Sequence, residues 1–275
     1  MINIKKVFEY SGLLAFLLFS FYYTDKVVGL AQKRDPIMES IIEQVSLVNK
    51  GCIEGYISEE GVVPGISGKS IDVDKSYQNM KGLGFNKELL VYNEEKCIVS
   101  SVNNMKNYII KGNEKKNSVS ILLLINNNEY LKDIINIATN KKIKIDLIIN
   151  ERLLEENREM YTKLINNGFN FIYNDNKNIN KYLKYLKDED KENTSLCIKT
   201  KNIDPIEECK NKKINTIVPK TYLSKNILLS LKNTLYKGQF IVLYENKNTV
   251  NELSAVINFI NAKGIDIKNV RNHIS

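Results

Sequence analysis

Histidine is nearly missing from this chain. Its 275 residues include one, His273, and there is no tryptophan. With no imidazole before position 273, a metal centre built on paired histidines is excluded. His273 itself reads as a solvated tail residue. Cys52, Cys97, Cys197 and Cys209 show no CxxC spacing and have no nearby histidine, so no zinc cluster is expected. A Cys52–Cys97 bridge is compatible with an extracellular location, whereas Cys197 and Cys209 read as buried thiols on a strand and the helix after it. The net charge of +8 suits a polyanion, but the lysines are scattered and arginine is rare. No nucleic-acid partner is expected.

No uncharged run is long enough to cross a bilayer unaided. Tyr10 to Tyr23 is free of charge for fourteen residues, which as a helix reaches ~21 Å of a hydrocarbon core of ~30 Å. Including Val7, Phe8, Thr24, Val27 and Val28, with Glu9 and Lys26 reaching to the interface, extends it toward spanning length. The expected arrangement is a tail over 1–9 and a single-pass signal anchor over 10–28. Two alternatives stand beside it: a signal peptide cleaved near Gly29-Leu30-Ala31, and a buried helix, which ought to show a polar stripe. Basic residues flank the run on both sides and do not set its orientation.

Residues 29–54 read as a helical stalk, with a helix from Pro36 to about Asn49 capped by Asp35. Residues 55–117 read as a small α+β extension. Within it, Pro64 to Ser70 lacks the spacing of a phosphate-cradling loop and reads as a turn between short strands. Asp72, Asp74, Ser76 and Tyr77 either cap a helix near Lys75–Lys81 or have a specific task. Further strands are expected at Glu88–Tyr92, Cys97–Ser101 and Tyr108–Lys111.

From 118 to 275 the chain alternates. Strands are expected at Val119–Ile125, Ile143–Ile149, Phe169–Tyr173, Ser195–Lys199, Thr216–Pro219, Gln239–Tyr244 and Ile265–Val270. Amphipathic helices are expected at Glu129–Asn140, Glu151–Asn167, Ile179–Asp188, Pro205–Lys212, Ser224–Tyr236 and Val250–Lys263. This is an α/β pattern with a parallel sheet, either an incomplete (β/α)7-type barrel or an open doubly wound sheet; periodicity does not choose.

Four stretches in order, Ile135–Ile149, Leu153–Gly168, Lys237–Glu245 and Thr249–Ile265, resemble the polysaccharide deacetylase (NodB-like) family. That family removes N-acetyl groups from sugars with a divalent metal held by two histidines and an aspartate, a second aspartate as base and a late histidine as acid. The resemblance puts the paired aspartates at Leu124 and Ile125 and the two histidines at Asn174 and Asn178. The arginine-bearing stretch falls at Ile198-Lys199-Thr200-Lys201, and the late His-Asp pair at Tyr244-Glu245. It therefore implies a deacetylase-like barrel with no metal, no cofactor and no catalytic residue.

The expected protein is a bacterial, membrane-anchored envelope protein whose C-terminal domain is extracellular. Its pseudo-deacetylase domain would bind or scaffold a cell-wall glycan or an envelope protein. The candidate glycan cleft is Asn126, Tyr173, Asn174, Asn178, Tyr244 and Glu245, since amides and phenols suit sugar hydroxyls and faces. The alternative is an active envelope hydrolase with relocated groups, in which Asp175, Asp204 and Glu245 at one barrel mouth hold a hard cation.

Overall fold

The computed structural model describes residues 4–33, 35–104, 106–175, 179–189 and 196–275. In chain order the elements are α1 (Ile4–Lys33), α2 (Pro36–Val48), β1 (Tyr56–Ser58), β2 (Gly61–Val63), β3 (Gly68–Ile71), α3 (Val73–Met80), β4 (Tyr92–Glu95), β5 (Tyr108–Ile109), β6 (Ser118–Leu124), α4 (Leu131–Asn140), β7 (Asp146–Ile149), α5 (Glu151–Glu156), α6 (Arg158–Asn166) and β8 (Phe171–Tyr173). They continue with α7 (Ile179–Glu189), β9 (Leu196–Ile198), α8 (Ile206–Asn211), β10 (Thr216–Ile217), β11 (Thr221–Leu223), α9 (Ile227–Thr234), β12 (Phe240–Tyr244), α10 (Lys247–Ala262), β13 (Asp266–Ile267) and α11 (Val270–Ile274). Two units emerge: Met1–Gly51 with Gly68–Glu95, and Cys52–Ser67 with Lys96–Ser275.

In the first unit, β3 and β4 form an antiparallel hairpin over a small core of Met38, Ile41, Ile71, Tyr77, Met80 and Leu90. Asp35 caps α2 by accepting the N–H of Ile37 at 2.8 Å, and its second oxygen accepts the Tyr77 hydroxyl at 2.9 Å. Asp72 caps α3 through the N–H of Lys75, and Ser76 Oγ accepts the N–H of Val91. These polar residues thus serve as caps and ties. The strand expected at Glu88–Tyr92 is instead a 3-10 turn, Lys87–Leu89, that leads into β4.

Residues 10–28 lie in α1, and their apolar side chains, among them Leu14, Phe16, Phe19 and Phe21, are exposed. No helix among the described residues is long and apolar enough to cross a membrane, so the expected single-pass span is not supported. The physical reason is the short uncharged core: Glu9 bounds it on one side, Asp25 and Lys26 on the other.

The second unit holds the main sheet, in the order β1-β2-β5-β10-β9-β8-β7-β6-β12-β11. Every pair from β5 to β11 is parallel. Strands β10 and β11 are seven strands apart in this order, counting both, yet only Val218, Pro219 and Lys220 separate them in sequence. A flat sheet would put them ~29 Å apart at ~4.8 Å per strand, whereas the link reaches at most ~14 Å at ~3.5 Å per residue. The sheet therefore curls round into an incomplete barrel, and its open side lies between β11 and the β1-β2-β5 end of the order, since β10 is paired with both β9 and β5. This decides between the two architectures that periodicity left open.

Strand parity sets the layers. Leu122, Ile148, Ile172, Ile198, Ile217 and Val242 point into the barrel. Ile121, Leu123, Leu147, Phe171 and Ile241 point outward under the helices. The chain's last turn closes the bottom: α11 adds Val270 and Ile274 to the interior cluster. His273 is consequently 1% exposed rather than a solvated tail residue. Its Nδ1 lies 2.8 Å from Ser120 Oγ, and its ring meets Phe240 edge-on.

Both cysteine pairs are bonded, Cys52–Cys97 and Cys197–Cys209. The second pair corrects the expectation of buried thiols, because α8 packs back on β9 and brings the two side chains together. No strand forms at Cys97–Ser101. Its amides are turned aside, with Ile98 and Val99 donating to the Glu54 carboxylate. The helix expected at Glu151–Asn167 is broken at Asn157, the residue between α5 and α6.

Candidate functional site at the barrel mouth

In a parallel barrel the carboxyl ends of the strands and the loops that follow them form the mouth, where functional groups collect. Leu124, at the end of β6, and Tyr222, on β11, pack against the interior cluster. The two-residue period of the strands puts Tyr244 of β12 and Asn174, just past β8, on the same inner face. Leu124 and Ile125 offer neither a proton nor a lone pair, and Ile125 is buried on the helix side.

Asn174 donates its backbone N–H to Ile149 O, and its side-chain Oδ1 is buried with no hydrogen-bond partner among the described residues. A buried amide oxygen left unmatched is an acceptor held ready for a donor. Tyr222 donates to the backbone oxygen of Lys199 at 3.4 Å. Burial, with a smaller contribution from Tyr244, pushes the Tyr222 phenol up to about 12, so it stays protonated at neutral pH.

Glu245 is buried and used up as a structural anchor. Its Oε2 accepts the backbone N–H groups of Asn126, Asn127 and Asn128 at 3.0, 3.2 and 3.1 Å. Its Oε1 accepts those of Tyr130 and Leu131 at 2.9 and 3.1 Å. The loop needs this acceptor because the cap residue of α4, Tyr130, offers no side-chain cap, and the first amides of a helix have no intrahelical partner. Asn128, at φ 67°, turns the loop into a nest of N–H groups around the carboxylate. Asn126 is exposed beside it.

Tyr173 is not at the mouth. It sits on the helix-facing side, 0% exposed, with its ring 5.0 Å from that of Tyr182. Burial, reinforced by Asp175, raises its phenol far above the usual range. Asn178 lies outside the described residues.

The three carboxylates considered for a hard cation do not converge. Asp204 is tied to Lys199 Nζ at 2.6 Å and accepts the Tyr108 hydroxyl at 2.6 Å. Burial acts to raise it, but the hydrogen bonds from Lys199 and Tyr108 outweigh that and hold it below its ordinary value. The bond to Asp204 raises Lys199, so the two remain an ion pair near neutrality. Among the described residues, the one group of three metal-capable side chains is Cys52, Glu54 and Cys97, and its two sulfurs are bonded to each other.

The resemblance pointed to the strand ends at Leu124, Asn174 and Tyr244. It missed Tyr222, because Thr221–Leu223 is too short to read as a strand, and the Tyr108–Lys199–Asp204 network, whose members are far apart in sequence.

No family model matches the chain, and no curated protein matches it. Among solved structures it is similar to wild-type BA3943, a CE4 family pseudoenzyme from Bacillus anthracis, at 15% identity and a TM-score of 0.64, over 88% of this chain and 96% of that one. A BA3943 mutant with restored enzymatic activity gives 16% and 0.66, over 88% and 98%. Bacillus subtilis PdaA, a family 4 carbohydrate esterase, gives 10% and 0.54, over 63% and 87%. A match of 88% exceeds what residues 118–275 supply, so the likeness to BA3943 reaches into the N-terminal region, whereas that to PdaA covers little more than the barrel. What these likenesses establish is the fold, a curled α/β sheet of the CE4 (polysaccharide deacetylase) type.

Proposed function

We propose that this protein is a pseudo-deacetylase that binds or scaffolds cell-wall glycan through its barrel mouth. The observation that carries the reading is the chemistry of the strand ends. Leu124 can pack, and Asn174, Tyr222 and Tyr244 can pack and hydrogen-bond, but none offers a metal-binding carboxylate or imidazole, and burial keeps the Tyr222 phenol protonated. The orphan Asn174 Oδ1, the exposed Asn126 and the half-buried Tyr244 suit sugar hydroxyls and a sugar face. Two disulfides support an oxidising compartment outside the cytoplasm.

The test pairs turnover with binding. N-acetylglucosamine oligomers, incubated with the protein and added Zn²⁺, Co²⁺ or Mg²⁺, are expected to show no acetate release. The same oligomers are expected to bind by calorimetry, and Asn174→Ala with Tyr244→Ala is expected to abolish that binding. Metal-dependent acetate release would overturn the pseudoenzyme reading in favour of a hydrolase with relocated groups.

The proposal also places residues 10–28 at a membrane. The exposed apolar side chains of α1 support it, although that helix falls short of a span by itself. Flotation with lipid vesicles, lost on deleting residues 1–33, tests the attachment. Resistance to alkaline carbonate distinguishes insertion from surface binding.

A further inference from the structure

A second concave site lies at the opposite end of the barrel from the mouth. Lys116 precedes β6, Lys142 and Lys144 precede β7, and Lys268 follows β13; all four line one open groove of about 540 Å³ together with Asn269 and Asn272. The chain brings these lysines together from three segments, so the cluster is a product of the fold and not of one basic run. Lys142 holds a left-handed φ of 57°, a conformation that glycine or asparagine takes at less cost.

The groove is short of negative charge. Asp266 lies 3.7 Å from Lys268 and is itself largely exposed. Lys116 Nζ donates to the backbone oxygen of Ser275, which also lines the groove, at 2.6 Å, and Asn269 Oδ1 accepts the backbone N–H of Asn272 at 2.8 Å. Lys116 and Lys268 are both half-buried. Burial, then the neighbouring charge of Lys268, holds Lys116 below its ordinary value. Ammonium groups gathered in a concavity repel one another, and a multivalent anion relieves that repulsion while accepting their hydrogen bonds.

We propose that this groove is an anion site for phosphate groups, separate from the barrel mouth and independent of what the mouth binds. The asparagine side chains beside the lysines supply neutral donors for the remaining oxygens. Compact ammonium groups suit phosphate as point charges and do not require the planar fork that arginine brings to a carboxylate.

The test is calorimetry of the full chain with pyrophosphate at low ionic strength. Wild-type protein is expected to bind at a defined stoichiometry. Lys116→Gln/Lys268→Gln is expected to bind about tenfold more weakly or worse. Because those two lysines are half-buried, Lys142→Gln/Lys144→Gln serves as a second variant, at two exposed positions outside the core. The control is Lys225→Gln/Lys232→Gln, which removes the same charge elsewhere and is expected to bind as wild type. Equal weakening in the control, or no binding by wild-type protein at millimolar pyrophosphate, overturns the proposal. A short polyphosphate chain that binds the groove more tightly than pyrophosphate identifies a polymer as the source of the phosphate; equal affinity identifies isolated phosphate groups.

Discussion

Glu245 Oε1 accepts the backbone N–H of Leu131 at 3.1 Å, so the residue just past β12 holds the first turn of α4. Four further amides share the same carboxylate. An acidic residue at a barrel mouth invites a catalytic reading, but this one has no lone pair directed at a substrate. Glu245→Gln replaces one acceptor oxygen with a donor that faces N–H groups. The expected outcome is a loss of roughly 2–4 kcal/mol of stability, measured by urea denaturation followed by circular dichroism. An unchanged midpoint would show that the nest tolerates a neutral partner. Lost binding or activity in this variant therefore does not identify a functional carboxylate unless the fold is shown to be intact.

Gly112 lies against the ring of His273, and a Cβ built on it would collide with the imidazole. The ring cannot swing away, since it is enclosed and packed edge-on against Phe240. Gly112→Ala is expected to destabilise by roughly 1–3 kcal/mol, the usual cost of overpacking. Adding His273→Ala removes the obstacle, so in the double variant Gly112→Ala is expected to cost much less than it does alone. A double-mutant cycle by denaturation measures the coupling; strictly additive effects would mean the clash is relieved elsewhere.

The Cys52–Cys97 bridge closes a loop with a separation of 45 residues and Cys197–Cys209 one of 12. On a loop-entropy scale these are worth roughly 4 and 3 kcal/mol respectively. Non-reducing peptide mapping is expected to recover both pairs and no free thiol. Cys97→Ser is expected to lower stability more than Cys209→Ser, and a reversed order would show that strain or packing, not loop length, governs the effect.

The repeating parts of this fold were legible in the sequence. Every strand expected from 118 onward overlaps an observed one, since short, nearly continuous apolar runs such as Val119–Leu124 between helical patterns read as buried parallel strands. The caps at Asp35 and Asp72 were legible because a side-chain oxygen two or three residues before an orphan amide acts locally. What escaped depends on distant partners. Closure of the barrel follows from the Val218–Lys220 link between strands far apart in the sheet. The role of Glu245 depends on amides more than a hundred residues upstream. The one trace of it in the sequence is that the Asn126–Tyr130 loop supplies no cap of its own for α4. His273 looked like a tail residue because α11 is too short to show a period, and its burial is decided by the open base of the barrel.

The base of the barrel also holds two titratable groups with opposite perturbations. Asp146 is 0% exposed and accepts the N–H of Val270 at 2.7 Å and the Asn170 amide at 3.0 Å. Burial nevertheless pushes its carboxyl up to about 7. His273 is pushed down to about 3, by burial first and then by Lys116 and Lys268. For Asp146 the folded value lies above the ordinary 3.8, so its contribution is full below 3.8 and is lost as pH rises toward 7. For His273 the folded value lies below the ordinary 6.5, so its contribution is full above 6.5 and is lost as pH falls toward 3. Between about 4 and 6.5 the folded state therefore binds one proton more at Asp146 and one fewer at His273 than the unfolded chain, and the two slopes cancel. Asp146→Asn removes one of them. Relative to wild type, the variant is expected to lose about 1.4 kcal/mol of stability for each pH unit of acidification across that window. Urea midpoints at half-unit steps of pH measure the difference. A variant that tracks wild type in parallel through the window would show that Asp146 titrates at its ordinary value in the folded protein.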